Sequence, residues 1–225
     1  GITFVPHSDI KEIYNVNLFG TLNILDACLE NNLIPKKIII PSSANVYGNP
    51  VNISVINENC CPLPVNHYAN SKLAMENIVR TYFEKLPVII TRPFNYTGLG
   101  QSNNFLIPKI VHHFKENKNE IELGNTDVVR DFSDVRFVVD VYRQLLKLPV
   151  HSEIFNVCSG NGVSIEEIVK LCTDITGLKL KVKVNPMFVR KNEIKMLLGD
   201  NSKLKNYLYN LSPVNIEDTL RWMLT

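Results

Sequence analysis

Three short apolar runs constrain the fold of this chain: "KKIIIPSS" from Lys36, "LPVIITRPFN" from Leu86 and "EIFNVCSG" from Glu153. Their cores are rich in β-branched residues and do not alternate with polar ones, the pattern of strands buried on both faces of a parallel sheet. Between the runs the period changes to that of helices. Leu18, Leu22, Leu25 and Leu29 predict one long helix from about Lys11 to Asn31, closed by the polar "ENN". A second helix is predicted from about Tyr68 to Lys85. Helix, strand, helix, strand requires crossover connections, and so an α/β fold with a parallel sheet.

After Gly98 the texture changes. Phe105 to Glu116 reads as helix, "NEIELG" as a short strand and Asp134 to Leu148 as a longer helix. Ser164 and Glu167 have capping-box spacing ahead of a helix that Gly177 can end, and "LKLKVKV" alternates as a half-exposed strand does. A C-terminal helix ending "EDTLRWMLT" closes the chain, with Trp222 as a packing residue.

Composition narrows the function classes. With 225 residues, 45% of them hydrophobic, the chain can bury a substantial core. Its 24 basic and 22 acidic residues are mixed along the sequence, so no electrostatic footprint for nucleic acid or an anionic membrane exists. Five cysteines, without C-x-x-C spacing, fit neither a zinc site nor a disulfide framework. His112 and His113 are adjacent on a helix and diverge by about 100 degrees, so no metal is expected there. No apolar run reaches the roughly 20 residues of a bilayer span, and "GITFVPHSDIKEIY" lacks the regions of a signal peptide. A cytoplasmic protein with reduced thiols is expected.

Chemistry is concentrated in two places. "NHYANSKLAMENIV" places Tyr68 and Lys72 four apart on one helical face, where an ammonium can favour the ionised phenol. "IIIPSSANVYG" delivers Ser42 and Ser43 where a strand ends, and open α/β sheets bind ligands beyond the carboxyl ends of their strands.

Taken with the downstream "RPFN", Ser43, Tyr68 and Lys72 resemble the arrangement of an extended short-chain dehydrogenase/reductase. The stretches "TRPFNYTGLGQSNNFLIPKIV", "GNTDVVRDFSDV", "IFNVCSG" and "NPMFVRKNEIKMLLGD" are similar to the GDP-4-keto-6-deoxy-D-mannose reductases, with nucleotide-sugar 4-epimerases and dehydratases as near relatives. The resemblance implies a Rossmann-like doubly wound parallel sheet over residues 1–97 and a smaller α/β substrate domain over 98–225. It also implies that strand 153–158 returns to the first sheet. Tyr68 would donate a proton to the sugar C4 oxygen, Ser43 would hold that oxygen, and Lys72 would bind the nicotinamide ribose. Asn17, Ser42, Tyr68, Lys72, Pro93 and Phe94 would contact the cofactor, NADPH or NADH without distinction. Ser8, Asn95, Leu106, Lys109, Arg130, Arg190 and Glu193 would contact a nucleotide-diphosphate sugar. The family pattern further implies a homodimer, built as a four-helix bundle from the helices of Asn17 and Tyr68.

Two departures carry weight. The dehydratases have an acid two before "YG", the position of Asn45 here, and an amide cannot abstract a proton. That leaves reduction or epimerisation ahead of dehydration. No G-x-x-G-x-x-G occurs, although the family's fold begins with it, so the sequence reads as a chain lacking the first part of the dinucleotide half. Such a chain is expected to bind NAD(P) poorly. The non-enzyme alternative is an inactive fragment or a redox-sensing member of the fold.

Overall fold

The fold is taken from a computed structural model, which describes residues 1–2, 9–50, 53–189 and 195–225. Ser8, Arg190 and Glu193 lie outside these residues. Among the described residues no helix is long and apolar enough to cross a membrane.

The leading helix is less regular than its leucine spacing predicts. It comprises α1 (Ile10–Tyr14), a π-helical turn (Asn15–Phe19) and α2 (Gly20–Glu30). The wider turn changes the helical register, so Ile13 and Asn17 are buried as well as Leu25. Single π turns of this kind often lie at functional positions.

The first sheet contains β1 (Ile38–Pro41), β2 (Val88–Pro93) and β6 (Glu153–Val157), all parallel, in the order β1-β2-β6. Ile40 pairs with Ile90, and Pro93 with Val157. One face packs on α2 and on α3 (His67–Arg80) through Leu25, Met75, Val79, Val88 and Ile90. The other packs on α5 (Val135–Leu145) and α7 (Ser202–Tyr207) through Ile89, Val141, Phe155 and Leu204. Burial on both faces explains why these strands read as unbroken apolar runs. Helix α3 ends earlier than its sequence predicts because Thr81 bonds back to the Ile78 carbonyl and the chain continues in turns.

The second unit surrounds α4 (Leu106–Lys115), α6 (Ile165–Thr176) and α8 (Ile216–Leu224), whose buried faces share Ile110, Phe114, Ile168 and Leu220. Its strands are β3 (Asn95–Thr97), β4 (Glu120–Leu123), β5 (Val129–Asp134), β7 (Gly162–Ser164), β8 (Lys181–Val184) and β9 (Met196–Leu197). Strand β5 pairs with β3, β7 and β9, while β4 pairs with β8. The capping box is present: Glu167 accepts from Ser164 N at 2.7 Å and donates its own N–H to Ser164 Oγ at 3.1 Å. Gly177 ends α6 at φ 72°, a conformation glycine adopts without a Cβ penalty.

Asp131 ties the two units together. Its carboxylate accepts from Ser159 N at 2.8 Å, Ser159 Oγ at 2.7 Å and Gly160 N at 2.9 Å. Burial pushes its pKa up and these hydrogen bonds oppose the rise. They hold the loop after β6 against β5, where Arg130 lies.

Candidate active site

The site begins where β1 stops. Ser43 is extended and caps a tight 3-10 turn, Ala44–Tyr47. Its Oγ accepts from the Asn45 backbone N–H at 3.2 Å and from Asn45 Nδ2 at 3.1 Å. Gly48 closes the turn at φ +63°, where an added Cβ would lie 1.8 Å from the Leu63 carbonyl oxygen. Only glycine fits there, which accounts for the "YG" at the end of the motif.

Asn66 starts α3 by accepting from Ala69 N at 2.8 Å, so Tyr68 falls in the first helical turn. The Tyr68 phenol lies near enough to the Ser43 hydroxyl for that hydroxyl to act on its acidity. Burial pushes the phenol's pKa up, and the neighbouring Ser43 hydroxyl pulls against that rise. The ammonium-driven lowering expected from the four-residue spacing therefore does not prevail. Lys72 is only 9% exposed and donates from Nζ to the Pro41 carbonyl at 2.8 Å. Burial lowers its own pKa, and the Glu76 carboxylate one turn further along partly restores it.

Asn17 reaches the same helix from the π turn. Its Nδ2 donates to Ser71 Oγ at 3.1 Å, and Ser71 Oγ donates to the Tyr68 carbonyl at 2.7 Å. Asn17 also pairs with both backbone groups of Ile2, at 2.8 and 3.0 Å. Asn17 thus braces the first turn of α3, a use its isolated "NVN" context does not reveal.

The residues at this strand edge suit the nicotinamide-ribose end of a dinucleotide. Ser42 Oγ is buried with no hydrogen-bond partner among the described residues, and Lys72 has two further N–H groups beyond the one given to Pro41. Pro93 ends β2 and Phe94 follows it. The Phe94 side chain packs into a cluster with Val46, Tyr47, Ile56 and Cys158, so a cofactor would meet its backbone rather than its ring.

The substrate-side candidates are half-buried and already engaged. Asn95 Nδ2 donates to the Asp131 carbonyl at 3.4 Å, beside Arg130 on the neighbouring strand. Arg130 Nη1 donates to the Val129 and Lys195 carbonyls at 2.9 and 3.5 Å. Lys109 Nζ donates to the Glu122 carbonyl at 2.7 Å and lies 4.8 Å from the Phe188 ring centre. Leu106 opens α4 and packs on the second core.

Several groups around Tyr68 are not evident from motif reading. Glu76 extends "YANSK" by one more helical turn, a spacing that signals it in retrospect. Tyr96 and Tyr142 come from separate elements and lie close enough to influence Tyr68 or one another electrostatically. Burial pushes Tyr142 up to about 12, and Thr91 Oγ1 donates to its oxygen at 3.1 Å. Asn45, recognised in the sequence only as a missing acid, is a donor to Ser43.

A family described as GDP-mannose 4,6 dehydratase matches residues 5–223. The GDP-6-deoxy-D-talose 4-dehydrogenase of Aggregatibacter actinomycetemcomitans is 39% identical over 209 residues, 93% of this chain and 71% of that protein. The GDP-6-deoxy-D-mannose reductase of Pseudomonas aeruginosa is 33% identical over 235 residues, 100% of this chain and 77% of that protein. Among solved structures, RMD from Pseudomonas aeruginosa complexed with NADPH superposes with a TM-score of 0.90 at 31% identity, covering 100% of this chain and 77% of that one.

Proposed function

Because the chain belongs to the GDP-mannose 4,6-dehydratase family, we propose that it serves as an NAD(P)-dependent 4-ketoreductase of a GDP-4-keto-6-deoxyhexose. The observation that carries this reading is Tyr68 in the first turn of α3, beside Ser43 just past the carboxyl end of β1, with a phenol whose pKa burial raises further. A group that must give a proton to a forming alkoxide has to hold it at working pH. The names of two relatives point to the same carbon: one is a 4-dehydrogenase of a GDP-6-deoxytalose, the other a GDP-6-deoxymannose reductase. Talo and manno sugars differ in configuration at C4, so the face on which the substrate lies decides the product.

A bound nicotinamide dinucleotide supplies the hydride. Tyr68 gives its phenolic proton to the C4 oxygen, Ser43 donates a second hydrogen bond to that oxygen, and Lys72 holds the ribose hydroxyls next to the phenol. Asn17 keeps the first turn of α3 in place through Ser71. On the substrate side we assign Asn95, Lys109 and Arg130 to the pyrophosphate, Arg190 and Glu193 to phosphate and ribose and Leu106 to the base, with Ser8 as a further substrate contact. Their cations and amides suit phosphate oxygens. Lys109 keeps two N–H groups beyond the one given to the Glu122 carbonyl, and these can meet an anion. Residues 98–225 are read as the main substrate domain. Asn45 disfavours dehydration, since its amide cannot take a proton from C5.

The test, in a chain bearing a complete dinucleotide-binding half, is to supply GDP-4-keto-6-deoxy-D-mannose with NADPH or NADH, follow loss of the reduced cofactor and determine the product's C4 configuration by proton NMR. Stoichiometric cofactor oxidation with a C4 alcohol as product is expected. Inversion at C4 of a GDP-hexose without net cofactor change would replace this reading with a 4-epimerase.

The same reading includes a homodimer through α1–α2 and α3. Val16, Phe19 and Ile24 are 41, 49 and 61% exposed on the first of these, an apolar surface that a second copy would cover. Sedimentation at micromolar concentration is expected to give twice the monomer mass, and a monomer alone would remove the proposal. We also assign the protein to the cytoplasm, since all five cysteines are unpaired. A tagged copy recovered outside the cytosolic fraction would contradict that assignment.

A further inference from the structure

Resting on the ketone-reduction reading, we infer that Asn45 is a positioning residue that fixes the Ser43 hydroxyl as a donor toward the reacting oxygen. A serine hydroxyl has two lone pairs and one hydrogen. Ser43 Oγ receives the Asn45 backbone N–H at 3.2 Å and the Asn45 side-chain amide at 3.1 Å. Both acceptor positions are then filled, and the only function left to the hydroxyl is to donate.

Ser43 is 6% exposed, so bulk water does not compete for its hydrogen. The Tyr68 phenol lies close enough for the Ser43 hydroxyl to pull its pKa down against burial, and it is the group toward which that hydrogen is directed. With Ser43 donating to it, the phenol's own hydrogen is left for the ketone. When a C4 oxygen enters, the Ser43 hydrogen is already turned outward and needs no reorientation as negative charge develops. An aspartate at position 45 would have the shape of asparagine and the opposite polarity. Its carboxylate could only accept, and it would draw the Ser43 hydrogen away from Tyr68 and from the substrate.

The inference is tested by Asn45→Asp and Asn45→Ala, each alone and combined with Ser43→Ala. Asn45→Asp is expected to lower turnover at least about tenfold while KM changes less than about threefold, because only charge developed in the transition state is affected. Asn45→Ala leaves the backbone N–H in place and costs less. A second readout is the NMR resonance of isotope-labelled Tyr68 Cζ at neutral pH in the chain without cofactor, identified by its loss in Tyr68→Phe. Asn45→Asp and Ser43→Ala should move this resonance alike, and adding Asn45→Asp to Ser43→Ala should move it no further.

An unmoved resonance in Asn45→Asp overturns the inference. So does a second displacement in the Ser43→Ala background, since the carboxylate would then act on Tyr68 directly. If Asn45→Asp does not fold, Asn45→Ala carries the same comparison, with a displacement that must vanish when Ser43 is absent. The resonance does not depend on turnover. An unsubstituted enzyme that reduces no ketone would therefore defeat the proposed function, while the role of Asn45 would still be decided by the resonance.

Discussion

In a chain bearing a complete dinucleotide-binding half, Tyr68→Phe is expected to lower ketone-reduction turnover by at least about a hundredfold with little change in substrate binding. The ring keeps its shape and burial, and only the acidic hydrogen is removed. Ser43 and Lys72 remain, so the developing alkoxide is still contacted but no longer receives a proton from an adjacent acid. The pH dependence has a definite sign. Burial raises the phenol's pKa, so the acid form needed for reduction is complete at neutral pH and is lost only as pH climbs through that raised value. Turnover in the reducing direction should thus be level near neutrality and fall on an alkaline limb. The reverse oxidation needs the phenolate and should rise over the same range. Tyr68→Phe should remove both limbs as well as the rate. Turnover within about threefold of the parent would take the proton-donor role away from Tyr68.

The sequence reveals this site unevenly, and the reason is the range over which each feature is encoded. Tyr68 and Lys72 share one helical face, and Ser43 ends a strand whose apolar run is unmistakable, so local spacing suffices to find them. The capping box at Ser164 and Glu167 is legible for the same reason. The direction of the Tyr68 pKa shift is not, because it depends on which distant elements bury the phenol. Asn17 sits on a π turn that a leucine repeat does not announce. Phe94 lies in a motif associated with the cofactor, yet its ring belongs to the core around Tyr47. Lys109 reads in the sequence as a substrate contact, and packing also gives it the Glu122 carbonyl and the Phe188 ring, neither of which the sequence announces.

The largest effect on stability is expected from Arg92→Met. Arg92 is 1% exposed and holds the equally buried Glu76 with two hydrogen bonds, Nε to Oε1 at 2.9 Å and Nη2 to Oε2 at 2.6 Å. Its Nη1 donates to the Tyr47 phenol at 3.0 Å, and that phenol donates to Asn156 Oδ1 at 2.7 Å. Four elements, β2, α3, the turn after Ser43 and β6, thus meet in one polar network inside an apolar surround. Removing only the guanidinium leaves the Glu76 carboxylate buried without its partner, a change worth about 3–5 kcal/mol. Lys72 lies one turn before Glu76 on that helix, so the uncompensated carboxylate should draw Nζ away from Pro41 and reduce turnover as well. Removing both charges, in Arg92→Met with Glu76→Leu, should restore most of the stability because no buried charge is then left unpaired. Urea denaturation of the single and double variants measures both effects. A single variant within about 1 kcal/mol of the parent, or a double variant no better than the single, would show that the network does not depend on charge pairing at Glu76.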